Sequence, residues 1–265
     1  MIESNTSELP RTEVATGQAG ITPAEIDLSC RVPLVVLFVS AAIWFLLSSL
    51  CSLLCSIKFH SPNFLADAAW LGYGRLLPAG RTALLYGGCL QAGLGVGLWL
   101  LARLGRRLLL YPLPAVLGAV FWNLGVTIAF LGLLRGDTTG FEYLELPAYS
   151  VGILLVGYLL LGLHAALMFH RRRERLTFPS QWFVFAALFW FPWIFTTAEL
   201  LLVAFPVRGV TQSVIAWWYA DTLLVVWLGL VGLAAAFYFG PKLTGRDLHR
   251  HYLADRSRVD LAGRK

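Results

Sequence analysis

The sequence predicts an all-α integral membrane protein: six transmembrane helices in one bundle, flanked by polar tails. Three observations carry this expectation. Of the 265 residues 58% are hydrophobic and 14% charged, whereas an ordinary globular chain carries roughly a quarter charged residues. The mean hydropathy is +0.69. The apolar residues also gather in runs of about twenty or more, the length a helix needs to cross a hydrocarbon core of ~30 Å. Such a chain is not disordered, collagen-like or a coiled coil, and its composition argues against a water-soluble enzyme.

The runs read in order as Pro33–Ile57, Ala83–Ala102, Leu113–Leu134, Ala148–Phe169, Gln181–Phe205 and Ser213–Phe239. Polar residues fill positions 1–32, among them Glu3, Glu8, Glu13, Glu25 and Asp27. No secretory signal opens the chain, and the first run is expected to stay in the membrane as an uncleaved helix. Prolines mark many edges (Pro33, Pro62, Pro78, Pro112, Pro147, Pro179, Pro206 and Pro241), as expected where helices begin or stop. The third run carries Gly118, Gly125 and Gly132 every seven residues, and the second carries Gly93 and Gly97. Small residues at such spacing let helices approach closely in lipid. No linker divides the chain, so the expected organisation is a cytoplasmic N-terminal tail over 1–32, a bundle over 33–239 and a basic cytoplasmic C-terminal tail over 240–265.

The formal charge of +6 does not point to nucleic acid, because the basic residues sit beside hydrophobic runs, where they set topology. Sixteen of the 21 Lys and Arg fall on the side shared by the two termini, the second–third loop and the Arg171–Arg175 loop. Lys58, Arg75, Arg81, Arg135 and Arg208 are the five opposite. This excess places both termini in the cytoplasm of a cell (inner) membrane, with the lipid bilayer as the first partner. Cys30, Cys51, Cys55 and Cys89 form no disulfide framework or metal-ligand spacing and read as small hydrophobes.

Chemistry is sought among ionisable groups inside the runs, which cost several kcal/mol unless paired or hydrated. His164 lies near the cytoplasmic edge and reads as a buried or snorkelling histidine. Glu199 and Asp221 each lie at ~9–12 Å depth from the non-cytoplasmic face, given a rise of about 1.5 Å per residue. They are proton-relay candidates if they share a wet cavity, or carboxylates singly paired with a backbone group or with Arg208. Trp217 and Trp218 precede Asp221 by one turn, as an interfacial belt or a cofactor wall. No phosphate-binding glycine loop, zinc-protease motif or haem-attachment motif is present.

Several segments resemble subunit I of the haem–copper oxidases, most closely the cbb-type. Tyr73-Gly74-Arg75-Leu76-Leu77-Pro78-Ala79 is similar to the start of that family's second helix. Glu142-Tyr143-Leu144-Glu145-Leu146-Pro147 resembles the stretch before its fourth, and Gln181-Trp182 with Ala186–Trp193 resembles its fifth. Trp217-Trp218-Tyr219 and Tyr238–Gly245 resemble its sixth and the loop beyond. The resemblance implies the first six helices of a twelve-helix bundle that holds haem and copper, reduces oxygen with electrons from cytochrome c in the aerobic respiratory chain, and moves protons. It also implies partners: other respiratory oxidase subunits, or a separate chain supplying the later helices.

Two positions depart from the family. Where the resemblance implies a haem-ligating histidine stands Gly80, followed by Arg81, and where it implies a copper-ligating histidine stands Asp221. Glycine has no donor, and one carboxylate is a poor substitute for imidazole. Trp217, Trp218, Tyr219 and Arg81 remain pocket candidates. His249, His251 and Tyr252 resemble the start of a seventh helix before the chain turns charged, and the tail reads as truncated. The expectation is a subunit I-like protein that holds no haem, copper or other metal by itself and is not catalytic alone. The alternatives are a non-catalytic scaffold or assembly subunit, and a small proton- or cation-conducting protein.

Overall fold

The computed structural model describes residues 21–109, 111–172 and 178–245. The expectations for the rest of the tails and for Arg173–Arg175 lie outside the described residues, as do those for His249, His251 and Tyr252. Among the described residues six helices are long and apolar enough to cross a membrane: α1 Pro23–His60, α2 Tyr73–Leu104, α3 Pro112–Arg135, α4 Ala148–His170, α5 Pro179–Ala204 and α6 Val210–Thr244. No strand occurs among the described residues.

The expected order holds, but several ends move outward. α1 begins ten residues before Pro33, at a capping box that hydropathy does not register. Thr22 Oγ1 accepts from Glu25 N at 3.3 Å, Glu25 Oε2 accepts from Thr22 N at 2.9 Å, and Pro23 takes the first helical position. Those contacts satisfy amides that a helix start leaves without partners. α2 likewise begins at Tyr73 rather than Ala83, so Pro33 and Pro78 lie inside helices instead of bounding them. Hydropathy marks the lipid-crossing part, whereas backbone hydrogen bonding runs on through Arg75 and Arg81, whose side chains find partners. Arg75 reaches the Leu134 carbonyl at 3.5 Å, and Arg81 pairs with Glu142 and Glu145. α3 stops as its sequence predicts: Gly136 takes φ +108° and its amide, with that of Asp137, returns to the Gly132 carbonyl at 3.0 Å.

The bundle core runs along α2, the most enclosed helix, while α1 and α6 leave most of their apolar surface outward. The glycine expectations describe the packing well. Gly118 and Gly157 face one another across α3 and α4; a Cβ on Gly157 would lie 2.6 Å from the Trp122 amide. Gly125 seats Leu154, and Gly132 seats Tyr149 and Pro147. On α2, Gly93 receives the Trp227 ring of α6 and Gly97 receives Val184 of α5. Polar side chains tie the first three helices together. Gln91 donates to the Leu37 carbonyl at 3.1 Å and to Ser40 Oγ, Trp44 Nε1 donates to Asn123 Oδ1 at 3.0 Å, and Asn123 donates to Ser40 Oγ at 3.2 Å. All four cysteines are free, with Cys51 and Cys55 packed on Leu76 as small hydrophobes.

Candidate functional site

Polar groups converge toward the end of the bundle opposite Ile21 and Gly245. Three helices change their winding there or close by: wider π-type turns run over Ala83–Leu90, Glu199–Ala204 and Thr222–Trp227. Such turns shift side chains around a helix face and are frequent at functional sites. The first carries Tyr86 into the core, and the second opens on Glu199. The third follows Asp221.

Tyr86 and Tyr219 are fully buried, and their hydroxyls meet at 2.5 Å. Tyr86 also donates to the Tyr143 carbonyl at 2.8 Å, and the Tyr86 carbonyl accepts from Trp122 Nε1 at 2.9 Å. Phe195 packs on both phenol rings, with centroids 6.3 and 6.4 Å away. Tyr143 itself has φ +63°, a left-handed backbone costing a non-glycine residue about 1 kcal/mol or more. It lies between Glu142 and Glu145 in the loop joining α3 to α4.

Glu145 is 5% exposed. Its Oε1 lies 3.5 Å from Arg81 Nη1, while Oε2 is buried without a partner. The same guanidinium nitrogen is 3.1 Å from the exposed Glu142. Burial pushes the Glu145 carboxyl up to about 6; a backbone contact and Arg81 pull the other way. Glu199 is half-buried, with Oε1 enclosed and unpartnered. Glu199 follows by one turn Phe195, which packs on both phenol rings, and Glu145 lies two residues past Tyr143, whose carbonyl accepts from Tyr86. Thr82, one turn before Tyr86, adds another buried and unpartnered oxygen.

The expected residues do not all meet. Asp221 is exposed on the outside of α6, and no hydrogen bond or ion pair joins it to Glu199 or Arg208 among the described residues. Trp217 is 69% exposed; Trp218 packs edge-on against Trp193 at 5.7 Å. Of that trio only Tyr219 enters the core. His164 is buried near the other end of the bundle, and its Nε2 has no partner. From the sequence alone Tyr86 and Glu145 receive no role. A signal existed for Glu145, a carboxylate enclosed by Leu144 and Leu146 just before the helix-starting Pro147.

Haem and copper, which the resemblance implies, do not fit the residues present. The Gly80 position points into α1: a Cβ there would lie 3.0 Å from Cys51 Cβ, and the Gly80 carbonyl already accepts from Ser48 Oγ at 2.9 Å. An imidazole would have to displace α1. Arg81 is engaged with two carboxylates. Asp221 brings one carboxylate and no imidazole beside it, and no group of three His, Cys, Asp or Glu converges among the described residues.

A six-span helical membrane bundle with buried polar residues at one end is the class of protein that this fold and site define. The chain belongs to the family described as cytochrome c and quinol oxidase polypeptide I, whose model matches residues 32–254. Haem and copper are that family's cofactors. The chain is 27% identical, over 81% of its length, to a cytochrome c oxidase subunit 1 homolog of Azorhizobium caulinodans, and covers 40% of that relative. It is 26% identical, over 71% of its length, to the Cbb3-type cytochrome c oxidase subunit CcoN1 of Stutzerimonas stutzeri, covering 41%. It thus spans about two fifths of the curated relatives it matches.

Proposed function

We propose that this chain is a cytochrome c oxidase subunit I-like membrane protein of the aerobic respiratory electron-transfer chain, and that by itself it holds neither haem nor copper and reduces no oxygen. The reading includes both termini on the cytoplasmic side of the cell membrane, as the basic-residue distribution favours. It also includes association with other respiratory oxidase subunits or a chain bearing later helices. The single observation that carries the metal-free part is Gly80. That position is closed by Cys51 and Ser48 of α1, so the chain offers neither a donor nor space for one where the family would ligate haem. The chain made in haem- and copper-replete cells tests this: the expected result is no Soret band and no bound metal. Stoichiometric iron or copper overturns it.

A second reading, proton or cation passage using Glu199 and Asp221, has one observation in its favour, the enclosed and unpartnered Glu199 Oε1. It predicts that proton flux into liposomes falls in Glu199→Gln. A third, a non-catalytic scaffold, predicts an oxidase assembly that fails when the chain is deleted and recovers with a Glu199→Gln copy.

A further inference from the structure

We propose that the Tyr86–Tyr219 pair is a proton relay joining Glu199 to Glu145, so that Glu199 exchanges protons with the end of the bundle that carries the Glu142–Glu145 loop and Asp221 takes no part. This deepens the conduction reading but shares only Glu199 with it. Two buried phenols meet hydroxyl to hydroxyl, with Phe195 packed against both rings. Each hydroxyl can donate once and accept, so the pair can be polarised in either direction. In one state Tyr219 donates to Tyr86, which donates to the Tyr143 carbonyl. In the other, Tyr86 donates to Tyr219, which leaves the Tyr219 proton free to point at Glu199.

Glu199 Oε1, Thr82 Oγ1 and Glu145 Oε2 are buried without partners. Glu199 follows by one turn Phe195, which packs on both phenol rings, Thr82 precedes Tyr86 by one turn, and Glu145 lies two residues past Tyr143, whose carbonyl accepts from Tyr86. Orphaned buried polar atoms are where ordered water belongs, and a water on each side completes the chain. The transfer balances. A protonated Glu199 gives its proton toward the Tyr219 oxygen, Tyr219 gives its own to Tyr86, and Tyr86, its hydroxyl turned from the Tyr143 carbonyl to the water on that side, gives its own toward the Glu145 carboxylate. One proton leaves Glu199, one arrives at Glu145, and both phenols are neutral before and after.

The charged groups around the far end suit a port. Arg81 holds Glu145 from α2, and the exposed Glu142 shares that guanidinium. The left-handed Tyr143 backbone between those glutamates is strain located at the Tyr86 acceptor. Glu145, raised to about 6, can both take and release a proton near neutral pH.

The test is infrared spectroscopy of the full chain in lipid nanodiscs near neutral pH, following the protonated-carboxyl band that vanishes in Glu199→Gln. On transfer to heavy water this band is expected to shift at once in the wild type and in Asp221→Asn. In Tyr219→Phe, Tyr86→Phe and Glu145→Gln the shift is expected to slow on the order of tenfold or more, because the hydrogen-bonded path is interrupted. Tyr219→Phe keeps the Tyr86–Tyr143 bond and so retains the loop geometry if Tyr86→Phe fails to fold. A Glu199 band that shifts as fast in the tyrosine variants, that slows only in Asp221→Asn, or that is absent from the wild type overturns the relay. Slowed exchange with liposome flux untouched by Glu199→Gln supports the relay while removing conduction across the membrane.

Discussion

The α3–α4 seam and the tyrosine site hold helices together by opposite means. The seam is made from what is missing: glycines at 118, 125, 132 and 157 bring two backbones together, and apolar side chains fill the grooves. The site is made from what is added, a set of hydroxyls, carboxylates and one guanidinium placed among aromatic rings. The difference concerns tolerance. Where the seam is fitted to backbone, as at Gly157, an added carbon has nowhere to go, whereas a polar cluster with unpartnered oxygens is incompletely satisfied already and yields by degrees.

The largest expected effect therefore belongs to the seam. In Gly157→Leu the new side chain must enter space held by the Trp122 backbone at 2.6 Å, which no rotamer change can clear. Overpacking of this kind costs about 3 kcal/mol or more, and thermal unfolding in detergent should show a large fall in Tm or no folded protein. Gly152→Leu, on the same helix with nothing within 4 Å, should be close to neutral. Equal effects at the two positions would show that the seam is not the tight contact described.

Next comes the pH response of Glu145, whose carboxyl is raised from 4.5 to about 6 by burial. The folded chain keeps a proton that the unfolded chain releases, so stability falls as pH rises through about 4.5 to 6 and the loss persists above. A shift of that size corresponds to about 2 kcal/mol. Tm measured across this range should decline with rising pH in the wild type and lose that part of its slope in Glu145→Gln. An unchanged slope would mean that Glu145 is not the group responsible.

A smaller effect is expected for Tyr219→Phe. It removes one hydroxyl from a pair whose other member keeps the Tyr143 carbonyl. One net hydrogen bond is worth about 1 kcal/mol, so Tm should fall slightly. A collapse comparable with that of Gly157→Leu would show the site to be as unforgiving as the seam.

The same contrast explains what was legible in the sequence. Helix number, order and the glycine contacts follow from hydropathy and the spacing of small residues, both of which are local. The ends of α1 and α2 were hidden because a capping box and two paired arginines extend helices past the apolar run. The site was only half legible. Depth along two helices placed Glu199 and Asp221 alike, but azimuth decides which carboxylate faces inward, and the wider turns at Glu199–Ala204 and Thr222–Trp227 alter the azimuth. Tyr86 and Tyr219 carry no spacing signal, since their partnership joins residues 133 positions apart.

The smallest effect lies at the other end of the bundle, where Arg103 meets Asp27. Arg103 Nη1 is 2.9 Å from Asp27 Oδ2 and 2.6 Å from the Pro23 carbonyl, and Trp99 Nε1 donates to Asp27 Oδ1 at 3.0 Å. The contacts hold the first turn of α1 against the last turn of α2. The carboxylate side chain is 47% exposed, so solvent and salt screen the pair, and such pairs contribute about 0.5 kcal/mol. Arg103→Gln should therefore lower Tm only marginally, and the difference should vanish at high salt. A loss as large as that of Tyr219→Phe, persisting in salt, would mean that the bond to the Pro23 carbonyl, rather than the charge pair, fastens the start of α1.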